Sequence, residues 1–488
     1  MRLKPWRPWL EQAGLVALVI VLGLALGLTL WNPQRLPLTV ALVASAFALL
    51  LVTLDPLLGL AAWIAISPFA PFLNLDIHLG EAIPDLALTR LAAGWGIVLL
   101  AAQAATRRRR LAPPNLLDAT LFVFGVAIIL SGLASIFGPS AGVQTAFDAY
   151  LLPFLAYALA RNLVQTRRAA RVVQITLVVI GAYLAFLVLQ EQATGRVLFA
   201  LDTVQFTYGT GLRRVVSLLG NPIFFGIPLA FSVVAGLLLL MAEKRRRGQA
   251  LIVLLLLAFV AAAFYTYNRA SWAGVVLGVL TPSLFFARLR RIVLPALAAL
   301  ALVGVLLWPT LSQQPIIKER LADEDSVNDR LNNVNVALTL WRQSPVFGIG
   351  YGSFGLTALD QGLLPRIAKY VPAPHNSYLF VLTSGGLLAL VPYLLSFAII
   401  AFDLWRFGRR LRRAVRPSSP RSQSSRSPRD DPEVRARRGM VIGGWAILLI
   451  MVSTSLTYDV ATGTLTSLMF YFFMGAVYGV AEHAAIRV

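Results

Sequence analysis

The 488-residue chain has no cysteine, which rules out a disulfide framework and a thiol nucleophile. Charge is scarce: Asp, Glu, Lys and Arg together make 13% of the residues, with only 22 acids against 43 basic side chains. Imidazole is scarcer still, confined to His78, His375 and His483. Apolar residues take up the difference, at 58% of the chain and a mean hydropathy of +0.74. Repeated apolar runs exceed the ~18 residues that cross a bilayer as a helix, so the expected fold class is all-α, a polytopic integral membrane bundle of about 12–14 transmembrane helices. The runs are continuous rather than alternating, which excludes a β-barrel.

Spans are expected at 13–31, 37–54, 57–72, 86–104, 115–137, 146–164, 171–190, 220–241, 250–267, 271–287, 292–310, 376–402, 440–457 and 462–484. The first follows a basic start but lacks a small-x-small cleavage pattern after it, so it reads as a retained span. Assigning both termini to the cytoplasm places 31 of the 43 basic residues and nine of the 22 acids on that side. The other side receives 12 basic residues and 13 acids, the asymmetry that the positive-inside rule requires. Four regions follow: N-terminal spans at 1–200, a motif-bearing region at 201–402 with an outer loop at 311–375, a disordered basic cytoplasmic linker at 403–439, and C-terminal spans at 440–488.

A formal net charge of +21 suggests nucleic acid in a soluble protein. Here the basic residues lie in short loops beside apolar helix ends, where they set topology and meet anionic membrane lipid, so no nucleic-acid partner is expected. The run Arg416 to Arg438 is polar and low in complexity.

Chemistry concentrates on the outer side. The loop 311–375 contains an approximate helical stripe after Asp329, at Leu331, Val334, Val336, Leu338 and Trp341, which Ser344-Pro345 stops. Gly348, Gly350 and Gly352, with Tyr351 among them, then form a loop whose backbone can approach a ligand closely. Farther on, Pro372 and Pro374 stiffen the approach to His375, and Asn376 or Ser377 can cap the following span. An imidazole there lies near the positive end of a helix dipole, which disfavours its charged form and suits a general base, the alternative reading being a polar residue that anchors the helix at the interface. Arg269, between two spans, and Arg213 and Arg214, closing the loop 191–219, are outer arginines. Their guanidinium forks match phosphate oxygens, so two or three of them together suit a diphosphate, whereas snorkelling to headgroups would satisfy one alone. Arg320, Arg330, Arg342 and Lys369 are further candidate glycan or phosphate contacts, although ordinary loop charge accounts for most of them. The acids Asp323, Glu324 and Asp325 read as solvated rather than as a metal site.

The ordered set Arg214-x5-Gly220-Asn221-Pro222, Asn268-Arg269-Ala270-Ser271, Arg330 with Trp341, Pro345-x-x-Gly348-x-Gly350-x-Gly352-x-Phe354 and Pro374-His375-Asn376-Ser377-Tyr378 with Gly385-Gly386 resembles the O-antigen ligase and polymerase superfamily. The resemblance covers about residues 200–400. It implies metal-independent, cofactor-free glycosyl transfer at the outer face of a bacterial inner membrane, within lipopolysaccharide biosynthesis. The implied donor is a glycan on undecaprenyl diphosphate, and the implied acceptor is a lipid A-core sugar, another lipid-linked glycan or a protein hydroxyl. Carried over by motif, His375 is the base, and Arg214 and Arg269 hold the diphosphate. Arg213, Arg330, Gly350, Tyr351, Gly352 and Asn376 are the expected substrate contacts. One dominant outer loop favours a ligase over a polymerase. The rival from another class is a membrane transporter, which should show ionisable residues deep in its spans or paired broken helices.

Overall fold

The computed structural model of the chain describes residues 53–73, 85, 87–107, 109–199, 215, 217–313, 325–365, 372–414, 431–459 and 463–485. Among them there is helix and connecting turn but no strand. The bundle helices are α1 (Pro56–Ile66), α2 (Leu88–Ala105), α3 (Leu116–Leu133), α4 (Pro139–Leu163), α5 (Arg167–Thr194), α6 (Pro222–Ala242), α7 (Arg246–Tyr265), α8 (Arg269–Phe285) and α9 (Ala287–Leu311). After a segment with α10 (Asp325–Gln343) and α11 (Phe354–Asp360) come α12 (Ser377–Ala414), α13 (Pro432–Ser455) and α14 (Thr464–Ala485). Each of the last twelve expected spans has its counterpart here, while 13–31 and nearly all of 37–54 lie outside the described residues. Eight of the helices are long and apolar enough to cross a bilayer.

Polar residues at the ends stop and start these helices. Asn115 and Asp118 form a reciprocal capping box for α3, and Thr166 caps α5, which ends at left-handed Gly195. The most enclosed helices are α6 and α14, each 89% buried along its span, whereas α7, at 17%, lies mostly exposed on the outside of the bundle. Gly475 and Gly479 let α14 lie against α4 so closely that a Cβ on either would come within 2.3 or 2.4 Å of a carbonyl oxygen of Tyr157 or Val164. This is the small-xxx-small contact by which membrane helices gain dispersion energy in place of hydrophobic drive.

The ion pairs respect the two ends of the bundle. Arg90 holds Asp148 at one end, with Nε 2.8 Å from Oδ1. Arg161, buried at the other end, bridges Asp118 and Glu482, and Arg171 pairs with Glu243 nearby. Each pair joins residues that the charge asymmetry assigns to one side.

Helix α12 breaks at Gly386, whose φ of 61° and ψ of −157° no helix contains. The break exposes the carbonyls of Thr383 and Ser384 and the N–H groups of Leu387 and Leu388. The segment Pro345–Gly350 meets all four. Ile349 N–H donates to Thr383 O at 2.8 Å, Gly350 N–H to Ser384 O at 3.1 Å, Leu387 N–H to Pro345 O at 2.9 Å and Leu388 N–H to Val346 O at 3.1 Å. The close backbone approach expected of this glycine loop is therefore realised, but toward protein. A Cβ on Gly348 would meet Ser384 O at 2.4 Å, and one on Gly350 would meet Ala134 O at 2.2 Å.

Two details differ from the sequence expectation. The helix expected within 311–375 begins at Asp325 rather than after Asp329, and its buried face is Asn333, Val336, Ala337 and Leu340, whereas Leu331 is exposed. That face follows the i, i+3, i+4, i+7 spacing and packs on Phe354, Ala358 and Leu364, a small core that an apolar stripe one face over does not reach. Second, the described parts of 403–439 are helical: α12 continues to Ala414 and α13 begins at Pro432, capped by Asp431. Arginine is a good helix former, so its abundance there did not oppose helix. Residues 415–430 lie outside the described residues.

Candidate active site

Three of the helices that begin at one end of the bundle, α6, α8 and α12, are each capped by an asparagine. Asn221 Oδ1 accepts from Ile223 N–H at 3.1 Å to start α6, Asn268 Oδ1 from Ser271 N–H at 3.0 Å to start α8, and Asn376 Oδ1 from Tyr378 and Leu379 N–H at 2.9 and 3.1 Å to start α12. The positive ends of three helix dipoles thus face the same side. Helices α6 and α8 are held together near these ends, because a Cβ on Gly226 would fall 1.8 Å from Ser271 Oγ. Asn221 and Arg269 sit within a turn and a half of that contact, at ~1.5 Å rise per residue.

Tyr458, in the turn after α13, joins α6 to α12. Its hydroxyl accepts from Asn221 Nδ2, its ring stacks on the His375 imidazole with centroids 5.5 Å apart, and its other neighbour is Phe224 at 5.7 Å. Ser377 Oγ donates to Tyr458 O at 2.9 Å. The next residue, Asp459, is 5% exposed and accepts from the backbone of the base candidate: His375 N–H reaches Oδ2 at 3.2 Å and Asn376 N–H reaches Oδ1 at 2.9 Å. Burial pushes the Asp459 carboxyl up to about 7, while the two N–H donors pull the other way.

Those bonds hold an unusual backbone. His375 has φ of 52°, Tyr267 φ of 50° and Leu218 φ of 35°, in the left-handed region that non-glycine residues rarely occupy. Among the described residues Arg107 alone joins them. His375 and Tyr267 each immediately precede a capping asparagine. Strain gathered at one end of a fold is characteristic of functional sites, since neighbouring structure must maintain it.

The sequence candidates fall into three groups. His375, Asn376 and Arg269 lie at this end of the bundle, with His375 half-buried and the Arg269 side chain exposed at the first position of α8. Gly350 and Tyr351 are structural in their surroundings. Tyr351 is 3% exposed, its N–H donates to Ser131 O, its carbonyl accepts from Ser135 Oγ, and its ring lies edge-on to Tyr150 and Phe380. Gly352, with φ of 70°, sits beside Phe137, and Arg330 is exposed on α10. Arg213, Arg214, Arg320, Lys369, His78, Asp323 and Glu324 lie outside the described residues.

Asp459, Tyr458 and Asn221 were not picked out as site residues from the sequence. One signal was available: Asp459 is an acid between two strongly apolar spans, where a charge needs a partner. The transporter expectation of paired broken helices is not met among the described residues. The single break, at Gly386, has its freed groups taken up by the Pro345–Gly350 segment. Residues 252–394 match a family model described as O-Antigen ligase. A search of curated proteins gives no match.

Proposed function

From the premise that this multi-pass membrane protein carries an O-antigen ligase superfamily domain at residues 252–394, we propose that it transfers a glycan from undecaprenyl diphosphate to an acceptor hydroxyl at the outer face of a bacterial inner membrane. The favoured acceptor is a lipid A-core sugar. The observation that carries this reading is the outer end itself: His375 is held in a strained backbone over Tyr458 and Asp459, among three asparagine-capped helix starts, with Arg269 on one of them.

In this reading the acceptor hydroxyl attacks the anomeric carbon of the donor sugar, giving up its proton to His375. The bond from that carbon to the diphosphate oxygen breaks, and the charge left on undecaprenyl diphosphate is met by Arg269, with Arg214 as its partner in the motif. Fixed cations and helix N-termini stabilise such charge without reorganising, which suits a reaction that has only the leaving group's energy to use. The stacking on Tyr458 and the two bonds to Asp459 fix where the imidazole can point, which keeps a general base within reach of one hydroxyl.

The test is a reconstituted reaction with lipid-linked glycan donor and lipid A-core acceptor, in chelator, comparing wild type with His375→Ala and Arg269→Ala. Transfer by the wild type and a loss of about 10²–10⁴-fold in the histidine variant are expected. Full activity of His375→Ala would refute the assignment of the base. Lengthening of the donor without use of the acceptor would redirect the reading to a polymerase.

A further inference from the structure

At the opposite, inner end of the bundle, a cavity of about 930 Å³ opens between the last turns of α12 and the first turns of α13. Arg409, Arg412, Arg413, Arg435 and Arg438 line it, and all five side chains are exposed. Between the arginines the floor is apolar, made by Leu404, Val441, Ile442 and Trp445. Among the described residues, none of the five arginines forms an ion pair. Arg409 lies over the Trp405 ring at 4.7 Å, and Arg438 reaches only the Phe285 carbonyl.

A second cavity on another face of α12 provides the contrast. It has about 450 Å³ and is lined by Arg406 and Arg410 but also by Asp403 and Glu482, so its charge is compensated within the protein. Basic residues at an inner membrane end set topology and need no ligand. Topology alone does not gather five unpaired guanidiniums around an apolar floor while the neighbouring cavity on the same helix is balanced. The connecting segment 415–430 is a poor occupant by charge, since it has four arginines against one aspartate.

We propose that this groove binds one anionic phospholipid of the inner leaflet, its phosphodiester among the arginines and the start of its acyl chains on the apolar floor. The volume is that of a ligand site, and basic pockets between membrane helices at the cytoplasmic side are where anionic headgroups dock. Five guanidiniums favour a lipid with two phosphodiesters over one with a single phosphodiester. The lipid would bridge the inner ends of α12 and α13. At their outer ends these two helices place His375 and Asp459 in contact. Of the lining only Phe285 falls within residues 252–394, and no candidate site residue lines the groove, so the proposal stands apart from the transfer reaction.

The experiment is native mass spectrometry of the full chain released from lipid-containing micelles, titrated with cardiolipin, phosphatidylglycerol, phosphatidylethanolamine or inorganic pyrophosphate. One retained cardiolipin is expected for the wild type, with phosphatidylethanolamine bound at least about tenfold more weakly. The combined variant Arg409→Gln, Arg412→Gln, Arg435→Gln and Arg438→Gln should lose that affinity by about tenfold or more, whereas Arg246→Gln with Arg247→Gln, inner arginines outside the groove, should keep it. Gly408→Leu keeps every arginine and fills the floor: its Cβ has only Val441 within 4.0 Å, so the backbone tolerates it, and cardiolipin alone should be lost. Equal cardiolipin retention in both arginine variants, equal binding of phosphatidylethanolamine, displacement of lipid by pyrophosphate at equal concentration, or unchanged binding by Gly408→Leu would each overturn the proposal.

Discussion

Replacing Gly386 with alanine tests whether the break in α12 and the Pro345–Gly352 loop form one unit. Gly386 occupies a φ, ψ region essentially closed to other residues, so alanine costs about 1–3 kcal/mol in backbone strain alone. Its Cβ would also stand 2.3 Å from Val346 O and 2.7 Å from Gly348 N, backbone atoms that no rotamer change can move. The escape is a continuous helix, in which Thr383, Ser384, Leu387 and Leu388 bond one another. Pro345, Val346, Ile349 and Gly350 are then left with four unmade backbone bonds, at about 0.5–1.5 kcal/mol each. By that route the strain is relieved but the clasp is lost, so Gly386→Ala should lose at least about 2 kcal/mol, the low end for four unmade bonds. Gly352→Ala is the control. It too has positive φ, but its nearest neighbour is Phe137 at 3.7 Å, so only strain of about 1–2 kcal/mol applies. Equilibrium denaturation of both variants in mixed micelles, followed by near-UV circular dichroism, measures the difference. A Gly386→Ala protein no less stable than Gly352→Ala would refute the clasp.

Three further outcomes follow from the same geometry. The Asp459 carboxyl sits at about 7 in the folded protein against ~3.9 in an unfolded chain, so its favourable contribution is complete below about pH 4 and is lost as pH rises to about 7. Asp459→Asn should remove that decline, and an unchanged pH profile of denaturation midpoints would refute the burial of this carboxyl. Tyr458→Phe keeps the ring over His375 but loses the bond to Asn221, so stability should fall by about 0.5–1.5 kcal/mol with transfer activity largely retained; collapse of activity would give the hydroxyl a direct role. Arg161→Gln leaves Asp118 and Glu482 without their shared cation at a site where Arg161 is 4% exposed, a loss of about 3–5 kcal/mol that denaturation should register, and a value below about 1 kcal/mol would mean that water serves these carboxylates.

Much of the bundle was legible in the chain because a bilayer imposes a length and an apolarity on each helix that composition alone reports. The caps were partly legible too: Asn376 was one of two candidate caps for its helix, and the backbone bonds decide for it over Ser377. The purpose of the glycine loop was not. Its spacing announces close backbone approach, and the sequence cannot say whether the thing approached is a ligand or, as here, the broken turn of a helix about 35 residues away. The extent of α12 was also missed, since its arginines signal the end of a membrane span without ending the helix.

By itself the sequence determined the class of fold, the two-sided distribution of charge and the residue types at the outer end, His375 and Arg269 among them. These follow from local rules: hydropathy over a span, charge in short loops, caps at helix starts. Only the tertiary structure decided that Asp459, 84 residues beyond His375, accepts from its backbone, that Tyr458 lies over its ring, and that five arginines from two helices surround one apolar groove. Such contacts depend on which helices pack side by side, and no spacing along a single strip of chain encodes that.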